Sequence, residues 1–178
     1  MITRFFIAIA AMALLAACSK EQAVLAPPCP STVIVKELAD ITQFKSGEGR
    51  DLTDVVLEGT ITGFDGFCET DFDEGVAGEV TIDLRVLFRA SRGPANTDRK
   101  GTFRYFVVIA DRDDNPLRKD VFATAVQFPG NRNRVAPFEE LSLAIPLKAG
   151  QNGGDYRVLV GFQLTPDQIE YNRSRQIR

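Results

Sequence analysis

The chain has 178 residues, 21 Lys and Arg against 24 Asp and Glu, a formal charge of −3, and neither His nor Trp. A mildly acidic balance argues against nonspecific nucleic-acid binding, which depends on neutralising phosphates, and the length suits one domain. Without His, the Ser-His-Asp and Cys-His catalytic arrangements are excluded in their usual form.

The chain opens Met1-Ile2-Thr3-Arg4, continues as an apolar run from Phe5 to Ala17, and reaches Cys18. One positive charge, a short apolar core and small residues before a cut site are the parts of a secretory signal peptide. The run is shorter than the roughly 20 apolar residues that cross a bilayer. Cleavage at an Ala-x-Ala-like site, leaving Cys18 as a thiol, is the plain alternative. Leu15-Ala16-Ala17-Cys18 resembles the lipobox of bacterial lipoproteins. The resemblance implies removal of residues 1–17, a diacylglycerol on the Cys18 sulfur and usually an acyl chain on its amine, and two or more chains anchor stably. Ser19 stands where Asp commonly marks inner-membrane retention in Gram-negative lipoproteins. The resemblance therefore implies an outer-membrane protein facing the periplasm.

Residues 18–30 read as anchor and tether. Ser19 to Pro28 is polar, then Ala- and Pro-containing, with no amphipathic period, and about ten extended residues span about 35 Å. Cys29 and Cys68 remain, and in an oxidising compartment they are expected to pair. Two buried thiols are the alternative. No metal or cofactor is expected from so few soft ligands.

From Ser31 onward the pattern is period two, the mark of strands with one buried face. Thr32 to Val35 is a short candidate, and Leu38 to Phe44 reads as a single helical turn. Val55 to Phe64 is a strand in which Gly59 and Gly63 suggest a bulge. Val80, Ile82, Leu84, Val86 and Phe88 alternate cleanly with polar residues. Phe103, Tyr105, Val107 and Ile109 make the next set, and Lys119 to Phe128 a less regular one. Leu141, Leu143, Ile145 and Leu147 precede Tyr156, Val158, Val160 and Phe162. Asp111 to Pro116 and Gly150 to Gly154 read as hairpin turns. Thr165-Pro166-Asp167-Gln168 is a helix start with a capping box, opening a short helix from about residue 166 through about Asn172.

About seven strands at short spacing favour a β-sandwich, with a small open barrel as the alternative. The stretch from Ile145-Pro146-Leu147 to Tyr156-Arg157-Val158 resembles the E-to-F corner of immunoglobulin-like and fibronectin-like domains. That resemblance implies a structural role for Tyr156, whose hydroxyl would pin the crossover. Residues 31–178 are thus expected to form one such sandwich with a short C-terminal helix. No strand follows Phe162, where those folds place a last one. As a whole the chain resembles proteobacterial envelope lipoproteins.

No Ser-x-x-Lys occurs, and Gly47-Glu48-Gly49-Arg50 lacks the ending of a phosphate loop. No carboxylate pair stands out, so an enzyme is not expected and no catalytic residue is assigned. Asp65, Glu69, Asp71, Asp73, Glu74 and Glu79 form an acidic stretch without a full calcium-loop spacing. Arg89, Arg92, Arg99, Lys100 and Arg104 cluster around one hairpin, and Arg132 with Arg134 lies in a later loop. Arg holds phosphate or carboxylate through two parallel hydrogen bonds, so Arg92, Arg99, Lys100, Arg132 and Arg134 are candidate partner- or anion-binding residues. The expected role is a non-catalytic envelope lipoprotein that binds or supports an envelope protein or polysaccharide. A small-ligand or ion carrier and a carboxylate-based hydrolase are the alternatives.

Overall fold

The computed structural model describes residues 27–47, 49–71 and 76–176. The leader, Cys18, Ser19, Asp73 and Glu74 lie outside the described residues. Among the described residues nine strands form two sheets: β1 (Ser31–Ile34), β2 (Asp40–Phe44), β3 (Val55–Asp71), β4 (Gly78–Arg92), β5 (Lys100–Asp111), β6 (Pro116–Gln127), β7 (Arg134–Val135), β8 (Phe138–Leu147) and β9 (Tyr156–Phe162). A helix, α1 (Pro166–Gln176), follows. One sheet has the order β1-β9-β5-β6; the other runs β2-β3-β4-β7, with β8 also paired to β4. The fold is a β-sandwich with a C-terminal helix.

The alternation decides which face is buried. Val80, Ile82, Leu84, Val86 and Phe88 of β4 point inward, as do Phe103, Tyr105, Val107 and Ile109 of β5 and Tyr156, Val158, Val160 and Phe162 of β9. At the centre the Phe88 ring lies 5.1 Å from both Phe103 and Tyr105 and 5.9 Å from Phe162. Such tilted and edge contacts add to the area that the rings bury.

Four expectations change. Leu38 to Phe44 is not a helical turn. A 3-10 turn at Lys36–Leu38 leads into β2, antiparallel to β3. Ile41 faces the core and Thr42 lies under α1, so both are buried and the strand shows no alternation. The bulge in β3 falls between Ile61 and Gly63. Gly59 serves close approach instead, since a Cβ there would sit 2.8 Å from Ile41 and 3.3 Å from Phe162. Gly150 to Gly154 is not a hairpin, because β8 pairs with β4 while β9 pairs with β5 in the other sheet. The segment is a corner between sheets. Finally, α1 runs past Asn172 to Gln176, where Arg173 and Arg175 suit the negative end of the helix dipole. Its start is the expected box, with Thr165 N–H donating to Gln168 Oε1 at 2.9 Å.

The sheet orders match strands F-C-C′ (β9-β5-β6) and A-B-E (β3-β4-β8) of an immunoglobulin-like sandwich. At the corner the Tyr156 hydroxyl reaches Gln151 Oε1 at 2.8 Å and Pro146 O at 3.3 Å. The last strand of that fold is replaced from the other end of the chain. β1 lies beside β9, parallel to it, with Ser31 opposite Arg157 and Ile34 opposite Val160. Cys29, just before β1, is disulfide-bonded to Cys68 on β3, with Cα atoms 5.9 Å apart. The bond ties the start of the domain to the opposite sheet.

Candidate functional site

Strand directions define two ends of the sandwich. One end holds Cys29–Cys68, the β8–β9 corner and the lower half of the β3–β4 ribbon. The other holds the loops after β4 and β6, where the candidate basic residues lie. There Arg92, Arg99, Arg132 and Arg134 come together, and two of them, Arg92 and Arg99, are held by hydrogen bonds. Arg92 donates from Nε and Nη2 to Asn133 Oδ1 at 3.2 and 3.1 Å and from Nη1 to Asn96 O at 3.0 Å. Arg99 donates from Nε to Phe128 O at 2.9 Å and from Nη2 to Arg132 O at 3.1 Å. Buried Asn96 completes the brace, with Nδ2 on Lys100 O at 2.7 Å and Oδ1 accepting from Arg99 N–H at 2.9 Å. Two guanidiniums thus lace one loop to another. Reversing their charge would disturb folding as well as any docking. The side chains of Lys100 and Arg132 are exposed on the same end.

Arg134 belongs to a different feature. On the outer face of the β2-β3-β4-β7 sheet, Asp40, Thr60 and Arg89 stand abreast in one cross-strand row. Thr42, Glu58, Ser91 and Arg134 form the next. With α1 along one side, these rows floor a polar cleft of about 640 Å³. Its cations are Lys36, Arg89, Arg134 and Arg175, and its anions Glu37, Asp40 and Glu58.

Charge is unevenly divided across the cleft. On the α1 side, Arg175 pairs with Glu58 at 3.6 Å, the Thr60 hydroxyl donates to Asp40 Oδ1 at 2.7 Å, and Asn172 Nδ2 donates to Asp40 O at 2.8 Å. On the β4–β7 side, Arg89 and Arg134 are diagonal neighbours, which places such residues about 7–8 Å apart. Among the described residues neither makes a salt bridge or a side-chain hydrogen bond. In the cleft Glu58 is thus paired and Asp40 hydrogen-bonded, whereas the Arg89 and Arg134 guanidiniums keep their donors free among the described residues.

Of the residues expected to bind, only Arg134 lines this cleft. Arg89 was visible as an outward residue of an alternating strand. Asp40, Glu58, Asn172 and Arg175 carried no signal, because they come from segments far apart in sequence and meet only when the sheet forms.

The described part of the acidic stretch is a β-ribbon, with Asp71 opposite Glu79, Glu69 opposite Thr81 and Asp65 opposite Arg85. Arg85 also donates to Glu140 through Nε at 3.0 Å, and that bond holds the guanidinium above its ordinary pKa. Among the described residues no three acidic or thiol groups gather to hold a metal ion, and no helix is long and apolar enough to cross a membrane.

No protein-family model matches the chain, and no curated protein does. The chain is similar to the AgI/II polypeptide BspA variable (V) domain of Streptococcus agalactiae at 11% identity, over 71% of this chain and 73% of that one. The TM-score of 0.19 is too low to carry an argument.

Proposed function

We propose that the chain is a non-catalytic lipoprotein of the cell envelope, held by lipid on Cys18, that binds or supports an envelope protein or polysaccharide through the cleft face. Ser19 favours the outer membrane, with the domain in the periplasm. The observation that carries the reading is the position of the Cys29–Cys68 bond. It fixes the end of the tether to the end of the sandwich away from the cleft. Thr60, on the cleft floor, precedes Cys68 by eight residues of one strand, or about 26 Å of extended chain. The eleven residues from Cys18 to Cys29 allow at most about 40 Å of reach. A short leash on one end and a charged recess toward the other suit a protein that stays at its membrane and presents a surface away from it.

Crosslinking pull-down of the native protein from intact envelopes, with Cys18→Ser as the unanchored control, tests this. Recovery of one envelope complex, weakened without the anchor, is the expected result. Recovery of the protein alone would refute docking. The cleft volume favours a second reading, carriage of a small ligand. Native mass spectrometry of the protein released from membranes would then show a bound mass. A carboxylate-based hydrolase has less support, since Glu58 is paired with Arg175 and Asp40 accepts from Thr60.

A further inference from the structure

We infer that Arg89 and Arg134 form an anion-binding subsite, and that the cleft takes a carbohydrate bearing a carboxylate or phosphate. The inference names the ligand chemistry of the cleft and rests on the binding reading above.

The first argument is electrostatic. Arg89 and Arg134 are like charges at diagonal positions on adjacent strands, within reach of each other through their long side chains. Of the acidic groups of the same cleft, Glu58 is paired with Arg175 and Asp40 accepts from the Thr60 hydroxyl. Arg89 and Arg134 keep their full sets of donors. A carboxylate or phosphate between them satisfies both forks and removes the repulsion. Arg geometry is suited to such planar, two-pronged recognition.

The rest of the floor selects the body of the ligand. Between the basic wall and Asp40 lie the hydroxyls of Thr60 and Ser91, and Asn172 stands at the far side. Asp40 has acceptor capacity beyond its bond from Thr60. Hydroxyl-bearing ligands match that series of short polar groups. Among the described residues no aromatic ring lines the cleft, so a neutral sugar finds no stacking surface there, and the anionic group must supply the anchoring. A lipid headgroup offers similar phosphate chemistry, but the cleft lies toward the end of the sandwich remote from Cys29. A soluble or polymeric anion reaches it more readily than the anchoring membrane.

The test is calorimetric titration of the exported chain carrying Cys18→Ser with inorganic phosphate, trigalacturonate, neutral maltotriose and phosphatidylglycerol vesicles. Phosphate and trigalacturonate should bind and maltotriose should not. The double variant Arg89→Gln/Arg134→Gln should weaken both at least tenfold, while Arg104→Gln, on the other sheet, should leave them unchanged. Should the double variant melt low, each single variant should still weaken phosphate severalfold at wild-type melting temperature. Equal binding by variant and wild type, or no heat from either soluble anion, overturns the subsite. Vesicle binding without trigalacturonate binding overturns the carbohydrate in favour of a membrane surface. The titration needs no partner, so its failure strikes the subsite alone, whereas an empty pull-down strikes the docking reading.

Discussion

Two tyrosines, given the same change, should shift stability in opposite directions. Tyr105 is fully buried, and its hydroxyl has no hydrogen-bond partner among the described residues. Burial pushes its ionisation well above the ordinary phenol range, with the Glu139 charge adding to the effect. Tyr156 is also buried, but its hydroxyl has acceptors at 2.8 and 3.3 Å. A typical hydrogen bond contributes about 1 kcal/mol net, whereas an unsatisfied buried group costs about 1–3 kcal/mol. Tyr156→Phe should therefore destabilise by about 1 kcal/mol, and Tyr105→Phe should stabilise by about 1 kcal/mol. For a urea m-value of about 2 kcal/mol/M, the two midpoints separate by about 1 M with m unchanged. The alkaline limb gives a second readout. A folded pKa raised above the unfolded value contributes stability that is complete below the unfolded value, near pH 10 for tyrosine, and is lost as pH rises toward the folded one. Tyr105→Phe should flatten that limb above pH 10. A loss of 1 kcal/mol or more in Tyr105→Phe would show that its hydroxyl is satisfied and refute the reasoning.

The Cys29–Cys68 bond closes a loop with a sequence separation of 39 residues, which the chain-entropy model values at about 4 kcal/mol. Cys29→Ala/Cys68→Ala should lower the melting temperature by roughly 8–16 °C at about 2–4 °C per kcal/mol, and a fall under 2 °C in calorimetry would contradict this. Arg92→Ala removes two hydrogen bonds between loops and one within its own loop and should cost about 1–2 kcal/mol in urea denaturation while leaving phosphate titration intact. The Asn115 side chain, then its backbone N–H, holds the Asp111 carboxyl below its ordinary pKa. A depressed pKa contributes stability above the unfolded value that is lost as pH falls through the folded one. Asp111→Asn should therefore flatten the acid limb below about pH 4, and an unchanged limb would assign the acid loss to other carboxylates.

The parts of the fold that could be read in the sequence are those whose burial repeats locally. Five inward residues of β4 at spacing two leave little choice of face, and the same holds for β5 and β9. β2 escaped because Ile41 and Thr42 are buried against different neighbours, one by the core and one by α1, so its pattern is not periodic. The cleft escaped for a related reason. Cross-strand rows such as Thr42–Glu58–Ser91–Arg134 exist only after register is set, and nothing in any one strand announces them. Arg92 and Arg99 misled in the other direction. Charge was visible, but not the carbonyls and the Asn133 amide that would hold the guanidiniums.

Among the described residues no strand follows Phe162, and the position of Cys29 belongs to the same arrangement. An immunoglobulin-like sandwich without its last strand leaves β9 with an open edge, and exposed edges invite pairing with other chains. Here the first strand fills that place. It is a weak filler: β1 has four residues, only partly buried, and pairs in parallel, the slightly less stable mode. With Cys18 as the anchor, as proposed, any pull along the tether would act on this strand first and would peel it from β9. The disulfide enters just ahead of β1 and connects to Cys68 within the 17-residue β3. Tension then passes to a strand paired with β4 as far as Asp71, and β1 stays out of its path. The bond therefore guards the most easily opened edge of the sandwich at the point where the tether meets it.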